Sequence, residues 1–182
     1  MHVLCLDFIN SQWYQTHRPF KELLTNKAWI TEFCRRWNLP VWDPETEDPH
    51  ALFALRDFLF DAAVSFCKDR MLHQHQLDTL NDQLRKAVFY EQVEQPDGNG
   101  CQLRICAQRK GMDIVADRVL RSFAELITLY PAKQLKICAN EECDWIFYDD
   151  SRNHTRKWCD NTCASRVKVR NYRASQRKNA QP

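Results

Sequence analysis

Four cysteines constrain this chain more than any other feature. Cys138 and Cys143 are separated by four residues and Cys159 and Cys163 by three, with fifteen residues between the pairs. Two short-range pairs brought to one point suit a tetrahedral metal ion, which takes its sulfur ligands at about 2.3 Å. Soft thiolates select zinc, an ion that brings no redox chemistry. Four protein ligands leave no position for water, so the spacing predicts a structural Zn2+ and not a catalytic one. Two structural disulfides are the competing reading. Nine cysteines in all, with no basic segment followed by an apolar stretch at the N-terminus, predict a reducing compartment, the cytoplasm, where such pairing means metal.

The residues around the pairs predict how they are held. Ile146, Phe147 and Tyr148 read as a short strand returning from the first pair, which places Cys138 and Cys143 on a hairpin knuckle. Thr162 to Lys178 contains neither Gly nor Pro and reads as a helix, with the second pair in its opening turn. Hairpin knuckle plus helix is a treble-clef-like finger. At about 100° per residue, Arg166, Arg170, Arg173 and Arg177 fall within roughly 60° of one another on that helix, flanked by Lys168 and Lys178. Arg152, Arg156 and Lys157 lie just before it. From Ser151 onward there are nine Lys or Arg and one acid, Asp160. Such a stripe is the footprint of phosphate contact. It is also what a solvated helix face looks like, or a set of cations balancing four thiolates around one zinc.

The segment resembles the CGNR zinc finger, a family of bacterial transcription regulators. The resemblance runs through Cys138, Cys143, Trp145, Phe147, Asp149, Ser151, Arg152, Asn153, Arg156, Trp158 and Cys159, then through Arg166, Lys168, Val169, Arg170, Tyr172 and Arg173. Two departures stand out. Ala164 and Ser165 replace the Gly-Asn pair of the family's naming tetrad, and the gap before Cys163 is one residue shorter. The resemblance implies DNA binding through the arginines and a finger held by the four cysteines.

The rest of the chain is of another character. Residues 1–132 carry 15 basic and 18 acidic side chains, a net of −3, whereas residues 133–182 carry 11 and 6, a net of +5. This asymmetry predicts an acidic body with a basic binding tail. No run approaches the roughly 18 apolar residues of a membrane span.

Val3–Ile9 is apolar around Asp7, and periodicity leaves strand and helix open. Leu6 to Asn10, L-D-F-I-N, resembles the opening of the ABATE domain, which commonly precedes the CGNR finger. Asp7 and Asn10 read either as caps and core hydrogen-bonding groups or as polar points of a ligand pocket. Lys27–Trp37 reads as a helix stopped by Pro40, with Trp29, Ile30, Phe33, Cys34 and Trp37 on one side. Residues 43–49 form an acidic, proline-rich loop. Ala51–Lys68 is a helix with an apolar stripe from Leu52 to Phe66. Arg56 on that helix matches an ABATE-like arginine; it would pair with Asp7, face a pocket, or simply lie on the surface.

His73–Gln92 reads as a helix through Leu77, Leu80, Leu84 and Val88, with its end, 87–93, open to a strand reading. His73 and His75 would point to different sides and stay exposed. Pro96 to Gly100 is a turn signal, and Cys101–Ala107 alternates as a strand, so a hairpin is expected about residue 98. A helix runs from Gly111 or Met112 to Tyr130, and 131–133 links it to the finger. Cys5, Cys34, Cys67, Cys101 and Cys106 read as small hydrophobes. With three glycines and no nucleophile-elbow, P-loop or zinc-protease pattern, the chain is expected not to be an enzyme.

The expected architecture is α+β: a mainly helical N-terminal domain with a small antiparallel sheet, residues 1–132, followed by a treble-clef-like zinc finger with a basic C-terminal helix, residues 133–182. The first part is expected to sense a small ligand, with Asp7, Asn10 and Arg56 as its binding residues, or to hold a homodimer. The second is expected to bind DNA. A protein-interaction or RNA-binding module built on the same structural zinc is the alternative.

Overall fold

The computed structural model describes residues 2–18, 20–98 and 100–179. Val3–Ile9, open to either reading from its sequence, is helical: α1 spans Leu4–Ile9 and buries Cys5, Leu6, Phe8 and Ile9, with the spacing of one helical face. A 3-10 turn, Asn10–Gln12, leads into the single-turn α2, Trp13–Thr16.

Helix α3, Lys27–Trp37, begins where the Asn26 side chain accepts the Trp29 N–H at 3.0 Å. It ends before Pro40. Asn38 takes a left-handed φ of 50°, and the Leu39 N–H returns to the Cys34 carbonyl at 2.9 Å, the Schellman closure. Helix α4, His50–Asp69, is the central rod; its buried stripe runs from Leu52 to Cys67. Arg70, just past its end, donates to the carbonyls of Ala132 (2.7 Å) and Leu135 (3.1 Å) and ties the rod to the link between the two halves.

The fifth helix, α5, spans only Gln74–Leu84 and does not continue to Gln92. Phe89, Tyr90 and Val93 are strand formers, and their backbone pairs elsewhere. β1, Phe89–Glu94, runs antiparallel to β2, Gln102–Ala107, in a register from Phe89 opposite Ala107 to Glu94 opposite Gln102. His73 lies before α5, and its ring stacks on that of His75 with centroids 6.0 Å apart; both are exposed, but they do not diverge. The hairpin forms about residue 98 as expected, and Asn99 of its turn lies outside the described residues. Leu103 and Ile105 share a face with Val93, yet that face meets solvent: Val93 and Leu103 are about two-thirds exposed.

Gly111, at φ 60° and ψ −139°, opens α6, Met112–Leu129. An added Cβ there would sit 3.3 Å from Glu47 Oε2 in a backbone region few side chains tolerate. Helix α6 buries Val115, Val119, Leu120, Phe123 and Leu126 against α1, α4 and α5. It also buries Asp117, which Arg109 reaches at 2.8 Å.

After a 3-10 turn, Ala132–Gln134, strands β3, Leu135–Ile137, and β4, Ile146–Tyr148, pair antiparallel, with Lys136 opposite Phe147. Helix α7, Asn161–Asn179, follows. Leu135, Ile146 and Tyr148 belong to the same apolar cluster as α1, α3, α4 and α6, so the second hairpin is built into the main core. The fold is mostly helical with two small antiparallel sheets. Among the described residues no helix is long and apolar enough to cross a membrane.

Candidate metal centre and nucleic-acid interface

Strand β3 delivers Cys138, the turn that follows delivers Cys143, and α7 delivers Cys163 in its first turn. Cys159 is not in that turn, as its spacing suggested; it lies in the bend just before α7. The Asp160 side chain accepts the Cys163 N–H at 2.8 Å and its carbonyl accepts the Ala164 N–H, so Asp160 caps the helix and fixes the step between the last two cysteines. The four Sγ atoms lie within 4.8 Å of one another. Cys143 and Cys159 are 3.9 Å apart, and Cys159 and Cys163 3.5 Å. A tetrahedron with 2.3 Å bonds to sulfur has edges of about 3.8 Å, whereas a disulfide needs about 2.05 Å. The arrangement fits a metal ion and excludes the disulfide reading.

Charge tells the same story. Thiols this close cannot all ionise alone. The hydrogen bond from Cys159 draws Cys143 down to about 5, while Cys159 is pushed up by the same partner and by burial, and burial pushes Cys163 up to about 11. A cation at the centre removes that conflict. Two donors sit behind the sulfurs: the Cys159 N–H faces Cys138 Sγ at 3.4 Å, and Asn140 Nδ2 faces Cys163 Sγ at 3.7 Å. Asn140 is fully buried, a supporting role that the cysteine spacing did not disclose.

The loop from Tyr148 to Cys159 is organised by Asp149. Its buried carboxylate accepts from Lys136 Nζ (2.6 Å), Ser151 N–H (3.1 Å) and Oγ (2.5 Å), and Arg156 N–H (2.9 Å). Burial alone would raise this acid, and those donors outweigh it and hold it well below the usual carboxylate range. Trp145 and Trp158 pack against the cysteine cluster, joined by Trp13 from the N-terminal part; Phe147 lies under the Arg156 guanidinium at 5.0 Å.

Arg166, Arg170, Arg173 and Arg177 line one shallow groove of about 630 Å3 along α7. Arg166, Arg173 and Arg177 are exposed, as are Lys168, Arg152 and Lys157. Arg170 is half-buried, and its guanidinium sits 3.6 Å from both Glu141 and Glu142 on the knuckle. Arg156 is also engaged, donating to the Trp158 carbonyl at 2.9 Å and to that of Cys159. The helix runs through Ala164 and Ser165 without a positive φ, so the family's glycine is not needed for this backbone.

Comparison with known families now gives the chain its place. Residues 2–129 match the family model ABATE, described as "Putative stress-induced transcription regulator", and residues 134–176 match the CGNR zinc finger. The chain belongs to the ABATE family. Both models describe regulatory, non-catalytic domains. No curated protein matches the chain.

Within the ABATE domain the three candidate ligand residues do different things. Asp7 accepts from Arg36 at 3.2 Å and from Trp37 Nε1 at 3.1 Å. Asn10 is buried and spans the two domains: its Nδ2 donates to the Ile146 carbonyl at 2.8 Å and its Oδ1 accepts the Ile146 N–H at 2.9 Å. It mimics a neighbouring strand. Arg56 neither pairs with Asp7 nor lies on the surface. It is 1% exposed and makes a two-pronged bond to Glu22, at 2.7 and 2.9 Å, with Ser11 Oγ at 3.3 Å. A cavity of about 370 Å3 between the ABATE domain and the finger is lined by Asp7, Asn10, Tyr14, Trp29, Arg36 and Trp145, among others; Arg56 is not on its wall.

The remaining cysteines divide. Cys5, Cys34 and Cys67 are buried, with thiols pushed up by burial to between about 11 and about 12. Cys101 is exposed and Cys106 half-exposed because their hairpin is not covered, so the small-hydrophobe reading fails for these two.

Proposed function

We propose that the chain is a zinc-dependent DNA-binding transcription regulator. Cys138, Cys143, Cys159 and Cys163 hold one structural Zn2+, which folds the finger and takes no part in chemistry. Arg166, Lys168, Arg170, Arg173 and Arg177 of α7 meet phosphates or guanine edges, and Arg152, Arg156 and Lys157 hold the adjoining backbone. Residues 1–132 form the sensing or dimerising domain and residues 133–182 the DNA-binding one. The cavity beside Asp7 and Asn10 supports a small-molecule effector site, with Arg56 bracing its floor from behind. A homodimer would supply the second finger that specific binding requires. Nine cysteines, four of them paired at metal-ligand spacing, support a reducing cytoplasm.

One observation carries the reading: the arginine stripe stands on a helix whose first turn carries a cysteine of the four-thiol cluster. The cationic face is therefore fixed in direction by the metal. The pairing of Arg170 with Glu141 and Glu142 favours a second reading, an acidic protein partner.

Duplex binding measured against salt separates the two. Metal-loaded protein should bind DNA with steep salt dependence, and chelation should abolish it. Arg170→Ala with Arg173→Ala should weaken binding and reduce the slope of log K on log salt by about 2, near 0.9 for each lost phosphate contact. Weak, salt-insensitive binding would move the assignment to the acidic partner.

A further inference from the structure

Helix α7 packs on the body along one narrow side: among its described residues only Cys163 is buried, and Ala164, Val167 and Arg170 are half-buried. Nineteen residues extend about 28 Å at 1.5 Å each, and a helix of this diameter enters the major groove. On so polar a helix two large apolar side chains stand in water, Val169 at 48% exposure and Tyr172 at 64%. Val169 lines the same groove as Arg166, Arg170, Arg173 and Arg177, whereas Tyr172 does not. Around the axis Val169 lies about 60° from Arg166, at the margin of the stripe, with Tyr172 about 60° further off.

A β-branched residue is a poor choice for a solvated helix face, where Ala, Lys or Arg keep more side-chain freedom and favour the helix. Val169 belongs to neither apolar cluster of the described residues, so core packing in the free protein does not explain it. The major groove would. Every base edge there presents hydrogen-bonding groups, and the one apolar group is the thymine 5-methyl. An isopropyl group pressed on a polar edge strips water and returns no hydrogen bond. Pressed on a methyl group, it removes apolar surface from water on both sides.

We infer that Val169 is a specificity-determining residue of α7 and that it receives the 5-methyl group of a thymine beside the bases or phosphates held by the arginines. This rests on the DNA-binding reading. The two fail separately in one experiment. Duplexes are selected from a random pool with the full-length, metal-loaded chain. Each thymine of the best duplex is then replaced by deoxyuridine, which removes only the methyl group, and affinity is measured for the wild type and for Val169→Ala. Alanine favours the helix and the site is exposed, so the variant stays folded, which circular dichroism verifies.

The wild type should lose about three- to fivefold in affinity at one thymine position. Val169→Ala should lose nearly the same on the unmodified duplex and nothing more when that thymine is replaced. Salt-dependent duplex binding in which no thymine responds, or in which Val169→Ala keeps the full response, overturns the inference alone. Absence of salt-dependent duplex binding, or tighter binding to single-stranded RNA, whose uracils lack the methyl group, overturns the DNA reading and this inference with it.

Discussion

At the scale of single residues, the chain is held by a few buried charges whose partners lie far off in sequence. Glu22 and Arg56 are the clearest pair. Burial alone would raise the Glu22 carboxyl, but the Arg56 fork, the Leu24 N–H and Gln15 outweigh it and hold it below its ordinary 4.5. A carboxylate depressed in the folded state adds stability above its unfolded value and loses it as pH falls through the folded one. Stability should therefore drop as pH falls from about 5 towards 3. Glu22→Gln should be less stable at pH 7, because Arg56 is left charged and unpaired, and its decline over that acid range should be shallower. Metal release in acid affects both proteins alike, so the difference between their melting curves isolates Glu22; parallel curves would show that the pair does not couple to folding. None of this was legible beforehand. The convergence of Cys138, Cys143, Cys159 and Cys163 was, because their pairs are local and four thiols converge for few reasons. Arg56 was misread because its partner sits 34 residues away in a loop with no periodic signal.

At the scale of elements, apolar period and end signals gave α3, α4 and α6 closely, and the first hairpin to within a residue or two. The reading failed where local pattern was overridden from outside. Leu77 and Val88 continue a helical stripe on paper, but both are exposed, and strand pairing with β2 takes residues 89–94 out of the helix. On α7 the stripe was correctly drawn, but the sequence hid that one of its members is already occupied. Arg170 faces Glu141 and Glu142, which precede the second cysteine and reach across the knuckle. On the DNA-binding reading these acids compete with phosphate for the same guanidinium. Glu141→Gln with Glu142→Gln should therefore raise duplex affinity about two- to fivefold at low salt, the scale of an exposed ion pair, and the gain should fade as salt rises. A titration at two ionic strengths checks this. Unchanged affinity at low salt would mean that Arg170 does not engage the duplex.

At the scale of the whole molecule, the ABATE domain and the finger share structure as well as a covalent link. The finger's strands supply Leu135, Ile146 and Tyr148 to the main core, Trp13 packs on the cysteine cluster, and the His17 Nε2 lies 2.8 Å from the Glu142 carbonyl oxygen. Asn10 is the hinge of this arrangement, since it satisfies both backbone groups of Ile146. Next in the chain, the Trp145 carbonyl accepts the Cys138 N–H at 2.9 Å, so the position of β4 sets the position of one cysteine of the four-thiol cluster. Asn10→Ala would strand a buried N–H and a buried C=O, at a cost of about 2–3 kcal/mol. That corresponds to a fall in melting temperature of very roughly 4–10 °C for a chain of this size. If the two domains form one cooperative unit, the same variant should also surrender its metal to a chelator faster than the wild type, although Asn10 touches no sulfur. The measurement is paired: a thermal melt of the metal-loaded variant and the rate of metal loss at constant temperature. A lower melt with an unaltered rate would mean that β4 holds the knuckle without help from the ABATE domain. A lower melt with faster loss would show that Asn10 couples the ABATE domain to the cysteine knuckle and through it to the base of α7.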